Sequence, residues 1–154
     1  MTRQQHYLSQ ALQHLNALKA EETGDLPEKD RQAIQARNKA YGNLCHNLPI
    51  LIRINGLCQT LAFIEEKCAI GEKPSAQKRI RGEAHQALRR HIAATLEVDE
   101  TDKPLLDTVR EAPLTDYQRH TRTLLAAWVY YKRFAVSILN VEPSTDATST
   151  REEV

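Results

Sequence analysis

Thiols and imidazoles are the first residues in this chain whose types could support covalent chemistry. Cys45 and His46 are adjacent, and Cys58 and Cys68 follow downstream. A thiolate beside an imidazole can act as a nucleophile, and the two together can hold zinc. The spacing argues against the metal and leaves the nucleophile pair open but without its usual surroundings. There is no C-x2-C or H-x3-H pair, and no glycine-rich phosphate loop, nucleophile elbow or His-Asp dipeptide. His46, His85, His91 and His120 are scattered, with His91 on the apolar side of its segment, where a core role is expected. Carboxylates gather in connectors and at the C-terminus rather than as an acid/base pair. The chain is therefore read as a non-enzyme with no catalytic residue, no metal, no cofactor and no small-molecule substrate.

Cations are placed more informatively. The net charge is only +1, but residues 31–95 carry eleven basic and four acidic side chains, while both ends are acidic. Such asymmetry suits an anionic partner or a head-to-tail assembly. Helical spacing puts Arg119, Arg122, Tyr130 and Arg133 opposite Tyr117, Leu124, Trp128, Tyr131 and Ala135. It likewise puts Lys78, Arg79, Arg89 and Arg90 opposite Ile80, Ala84, Ala87, Leu88 and Ile92. Basic stripes with an interleaved aromatic can hold a phosphate backbone and offer a ring to a splayed base. An ordinary solvated face is the competing reading for each stripe.

The elements that must position these stripes are helices. Five glycines, two phenylalanines and abundant Ala, Leu, Gln, Glu and Arg make a helical composition. Thr2 and Gln5 have capping-box form and open a helix to about residue 20; Pro27 opens a second, which Pro49 is expected to break. A third, hydrophobic central helix is predicted over roughly 49–69. Ile50, Ile54, Leu57, Leu61, Ile64 and Cys68 fall on one side of it, and Ile52, Gly56 and Phe63 on the other. Arg53 interrupts any membrane reading. Gly56 is expected to admit a close helix crossing. Ser75 caps a fourth helix, Pro104 opens a short fifth, and Thr115 with Gln118 has the form of a box starting a long sixth. The prediction is all-α: a single compact bundle of about six helices over 1–140, followed by a disordered acidic tail over 141–154. Three cysteines, an odd number, and an N-terminus without an apolar signal core fit a cytoplasmic protein with free thiols.

The order of residues also carries a resemblance. Leu48-Pro49, Ile52, Asn55-Gly56-Leu57, Thr60-Leu61-Ala62-Phe63 and Lys67 are followed by Tyr117, Thr121, Leu124-Leu125, Trp128 and Lys132-Arg133-Phe134-Ala135. Over roughly residues 34–136 this pattern resembles the small-subunit family of the type III-B CRISPR effector, the Cmr complex. The resemblance implies a compact, non-catalytic helical subunit active in antiviral defense. Several copies would stack beside the backbone subunits of a ribonucleoprotein and help to hold target RNA paired with a guide RNA. Its partners would be other Cmr effector subunits and further copies of itself.

The expected nucleic-acid contacts are Arg53, Lys67, Lys78, Arg79, Arg89, Arg90, Arg119, Arg122 and Arg133. Arg53 and Lys67 would reach from the central helix on long stems. Asn55, Gly56, Gln59 and Trp128 are expected to serve structure or subunit contact, because a buried unpaired amide costs about 1–3 kcal/mol. The alternatives are a helical adaptor or inhibitor that binds one protein through Trp128 and its neighbours, with no RNA contact, and a Cys45/His46-dependent enzyme.

Overall fold

The computed structural model describes residues 1–144, and the remainder of the expected tail, 145–154, lies outside the described residues. The order is α1 (Arg3–Glu22), α2 (Glu28–Asn55), α3 (Leu57–Lys67), α4 (Ala76–Thr95), α5 (Leu105–Arg110) and α6 (Leu114–Ser137). This is the all-α, six-helix bundle that the composition and periodicity predict. The capping box at Thr2 forms: its hydroxyl accepts the Gln5 N–H at 3.1 Å, and the Gln5 side chain accepts the Thr2 N–H at 2.7 Å. Ser75 caps α4 through the Lys78 N–H. The box expected at Thr115 does not form, because α6 starts two residues earlier, at Leu114, with Pro113 as its N-cap.

The largest departure is at the predicted central helix. Pro49 does not break the chain; it lies inside α2, where burial of Leu48, Pro49 and Ile52 offsets the lost hydrogen bond and the ring's steric cost. The break falls at Gly56, which closes α2 and opens α3 at φ 83° and ψ 164°. That backbone region is essentially restricted to glycine. A Cβ at Gly56 would meet only the Tyr117 hydroxyl, at an ordinary 3.6 Å, so backbone geometry rather than a close helix crossing requires the residue. Tyr117 in turn accepts the Cys58 N–H at 3.1 Å and supplies, from α6, the cap that Gly56 cannot. Breaking the run here turns Ile50 and Ile54 outward, to 45% and 74% exposure, although one continuous helix would have placed them with Leu57 and Leu61. Gly56→Ala is expected to cost about 1–3 kcal/mol in backbone strain and to lower the thermal midpoint by several degrees. An unchanged midpoint in a calorimetric scan would overturn that account.

α2 and α6 run antiparallel, since Tyr117 meets the end of α2 and Val141, just past α6, meets its middle. Gly42 makes the second contact possible: a Cβ there would come within 2.6–2.9 Å of the Val141 side chain. His46 Nε2 then lies 2.7 Å from the Val141 carbonyl, to which it donates. The chain is thus docked on α2 at Val141, where the tail was expected to begin.

At the centre, Trp128 is fully buried and stacks on Tyr131 with centroids 4.0 Å apart. A polar chain crosses the same core. The Tyr41 hydroxyl is 2.5 Å from His91 Nδ1, the His91 ring stacks on His14 at 4.1 Å, and His14 Nδ1 is 2.6 Å from the Tyr131 hydroxyl. His91 is the satisfied core histidine that its position on α4 suggests.

Candidate nucleic-acid interface

The outward face of α6 is a stripe at helical spacing. Arg119, Arg122, Ala126, Val129 and Arg133 are all exposed, and each follows the last by three or four residues. Arg119 pairs with Asp116 at 2.9 Å. Arg122 and Arg133 make no ion pair among the described residues, and the helical rise puts them about 16 Å apart. Tyr130, expected beside them as a stacking ring, is half-buried against the core.

On α4, Lys78, Arg79 and Arg90 are exposed and unpaired among the described residues, whereas Arg89 is not free. Its guanidinium is 3.0 Å from Glu65 on α3 and 3.7 Å from Glu100 in the following loop. Arg89 therefore ties α4 to α3, a use its position on the outer face did not reveal. Lys67 is half-buried over the Phe63 ring, 5.3 Å from the centroid. Arg53, Asn55 and Gln59 are exposed around the Gly56 break. Asn55 and Gln59 thus have no desolvation to compensate, contrary to the expectation that burial would demand partners for them. Trp128, at 0% exposure, presents nothing to a partner and belongs to the core. The nine basic residues come from four helices: Arg53 near the end of α2, Lys67 at the end of α3, Lys78, Arg79, Arg89 and Arg90 on α4, and Arg119, Arg122 and Arg133 on α6.

Two cavities add residues that periodicity did not single out. One, of about 430 Å³, lies where the start of α1, the end of α4 and the first turns of α6 meet. Arg3, His6, Arg119 and His120 line it, with the Glu97 carboxylate beside them. Burial and then Arg119 hold His120 below the ordinary imidazole pKa. The other, of about 480 Å³, lies between α2 and α4 and includes Arg81 and His85. These residues are brought together only by tertiary packing, which a one-dimensional pattern does not register.

The Cys45-His46 pair is not arranged as a dyad. Cys45 is 0% exposed, and burial pushes its thiol far above the ordinary range, so no thiolate forms near neutral pH. His46 spends Nε2 on the Val141 carbonyl. Cys68, also buried, is raised to about 11 by desolvation. Among the described residues no three His, Cys, Asp or Glu side chains group to hold a metal ion. No described helix is long and apolar enough to cross a membrane.

Comparison with known proteins points one way. The family model for "CRISPR-associated protein (Cas_Cmr5)" matches residues 3–138. The chain is 34% identical over 113 residues to the CRISPR system Cmr subunit Cmr5 of Thermus thermophilus, an alignment covering 73% of this chain and 87% of that protein. A crystal structure of a CRISPR-associated Cmr5 family protein from the same organism superposes with a TM-score of 0.60 at 29% identity, covering 92% of this chain and 100% of the other.

Proposed function

The chain belongs to the Cmr5 family, the small subunit of type III-B CRISPR effectors, and from that premise we propose that it is a non-catalytic scaffold that helps to hold target RNA. The observation that carries the RNA-holding role is a set of exposed cations without partners. Arg53, Lys78, Arg79, Arg90, Arg122 and Arg133 stand on a well-packed helical frame and make no ion pair among the described residues. Cations held this way neutralise phosphates without reading bases, which suits a subunit whose complex takes its sequence information from a guide RNA. Antiviral defense by such a complex needs this subunit to position a strand rather than cut it. The buried Cys45 thiol supports a non-enzymatic role.

Copies are proposed to stack beside the backbone subunits in the cytoplasm, with the acidic stretch 96–116 of one near the basic face of the next. Ile50 and Ile54, exposed one turn apart beside Arg53, support a protein contact at the α2 corner. Affinity purification of the tagged chain from its native host tests the reading. Larger subunits and a short guide RNA are expected to copurify in fixed proportion. Recovery with a single protein partner and no RNA would favour the adaptor reading instead.

A further inference from the structure

Ile50, Ile54, Leu57, Leu61, Ile64 and Cys68 follow one another at alternating intervals of four and three residues. That alternation is the spacing of an apolar seam along one unbroken helix. The structure divides the seam at Gly56. Leu57, Leu61, Ile64 and Cys68 are buried, at 0–7% exposure, whereas Ile50 and Ile54 are 45% and 74% exposed. The order of residues thus supports a straight helix that the closed chain does not contain.

The break is a single residue. Only Gly56 separates α2 from α3, and the bonds on either side of it are helical: its N–H donates to the Ile52 carbonyl at 2.8 Å, and its carbonyl accepts the Thr60 N–H at 3.2 Å. Its φ of 83° interrupts the bonds that Leu57, Cys58 and Gln59 would donate to Arg53, Ile54 and Asn55, and the Tyr117 hydroxyl takes up the Cys58 N–H instead. Turning Gly56 to a helical φ restores all three and joins residues 28–67 into one helix about 60 Å long. A lone chain cannot make that turn and keep its core. α1 and α2 precede the hinge and α3 to α6 follow it, and the core lies between these halves. α2 packs on α4 and α6, α1 packs on α6, and Tyr41 and His14 both reach His91. α3 packs on α4 and α5, so its part of the seam stays covered within its own half.

We infer that the chain forms an exchanged dimer with a second copy of itself, hinged at Gly56, in which α1 and α2 of each copy pack on α4 and α6 of the other. The occupant follows from the geometry of the opened chain. Each half then lacks the partner that only another opened copy supplies, and the pair rebuilds both cores from the same contacts, so no core burial is lost. Ile50 and Ile54, brought into line with Leu57 and Leu61, lie beside the hinge, where the two 50–54 segments meet across the two-fold axis. Short connections with a straight alternative are the ones that exchange. The inference does not depend on the RNA-holding reading. It bears on assembly, because the exchanged form covers the two isoleucines that a neighbouring subunit would otherwise meet.

Size-exclusion chromatography with light scattering on the full chain tests this. Wild type held near its thermal midpoint at about 1 mM and then cooled is expected to yield a dimer that reverts slowly on dilution, since exchange requires the halves to separate. Gly56→Ala is strained at φ 83° in the closed chain but favoured in a helix. It should lower the dimer Kd about a hundredfold, a factor of about ten for each of the two hinges. Ile54→Lys, at a position exposed in the closed chain, should leave the melting of the monomer unchanged and weaken the Gly56→Ala dimer at least about tenfold by setting like charges together across the axis. NMR on a dimer mixed from isotope-labelled and unlabelled chains then separates exchange from a surface contact. The His14 and His91 rings, stacked at 4.1 Å, should give a nuclear Overhauser effect between chains. That effect in either protein sustains the inference. A dimer that shows it only within chains would be a surface contact of Ile50 and Ile54 and would overturn exchange. Annealed wild type and Gly56→Ala that both stay monomeric at about 1 mM overturn it as well. If Gly56→Ala does not fold, annealed wild type decides alone, and its remaining monomeric is the overturning result.

Discussion

Lowering the pH from 7 to 4 is expected to destabilise the chain by about 3 kcal/mol through His91 alone. His91 lies in the core with Nδ1 on the Tyr41 hydroxyl and its face on His14, and burial holds its pKa down to about 2. His14, Arg90 and Arg37, the charged or chargeable groups nearest it from α1, α4 and α2, all push in the same direction. The remaining neighbours are the phenols of Tyr41 and Tyr131 and the Cys45 thiol, whose pKa values are raised, so they stay neutral and offer the imidazolium no counter-charge. In the unfolded chain the same histidine takes a proton near pH 6.5. The stabilising difference is therefore complete above about pH 6.5 and shrinks by about 1.4 kcal/mol per unit as the pH falls through the window from 6.5 toward 2. His14, His85 and His120, all lowered by burial first, add to the trend. Thermal melting at pH 8 to 4 on wild type and His91→Gln isolates the residue from the carboxylates, which titrate in both proteins. The variant should be less stable at pH 7 and lose less on acidification. Parallel pH profiles would mean that the folded core accommodates the charge.

The same network marks the boundary of what the amino-acid order could reveal. Apolar spacing identified the face of α4 that carries Ala84, Leu88, His91 and Ile92, because burial repeats with the helix period and each residue reports its own side. It could not place His14 against His91, since that contact joins residues 77 apart and depends on how α1 lies between α4 and α6. The Gly56 break was missed for a related reason. Pro49 is the stronger local breaker in isolation, but the core around Leu48 and Ile52 is apolar enough to keep it helical, and the turn moved to the one residue able to adopt φ 83°. For the site, exposure of Arg122 and Arg133 was legible in the periodicity. The capture of Arg89 by Glu65 and Glu100 was not, because both carboxylates arrive from other elements.

Those pairs also decide how the RNA reading has to be tested. Reversing Arg89 or Arg119 to Glu would set like charges against Glu65, Glu100 or Asp116, and any loss of binding could then follow from local unfolding. Arg53, Arg79, Arg90, Arg122 and Arg133 are exposed and unpaired among the described residues, so each should tolerate reversal within about 0.5 kcal/mol. With all five changed to Glu, the assembled complex is expected to bind target RNA roughly a hundredfold to a few thousandfold more weakly, as five lost contacts of about 0.5–1 kcal/mol each would give. Phosphate contacts carry no base information, so the loss should be the same for every guide-matched sequence. Each contact removed should also flatten the dependence of log affinity on log salt by about 0.7. Reversing the α4 pair and the α6 pair separately then divides the effect, because Arg79 and Arg90 lie on one helix and Arg122 and Arg133 on another. If only one pair changes the salt slope, a single face meets the strand. Unaltered affinity and slope in an intact complex would make all five a solvated surface and move the function to the protein contacts around Ile50 and Ile54.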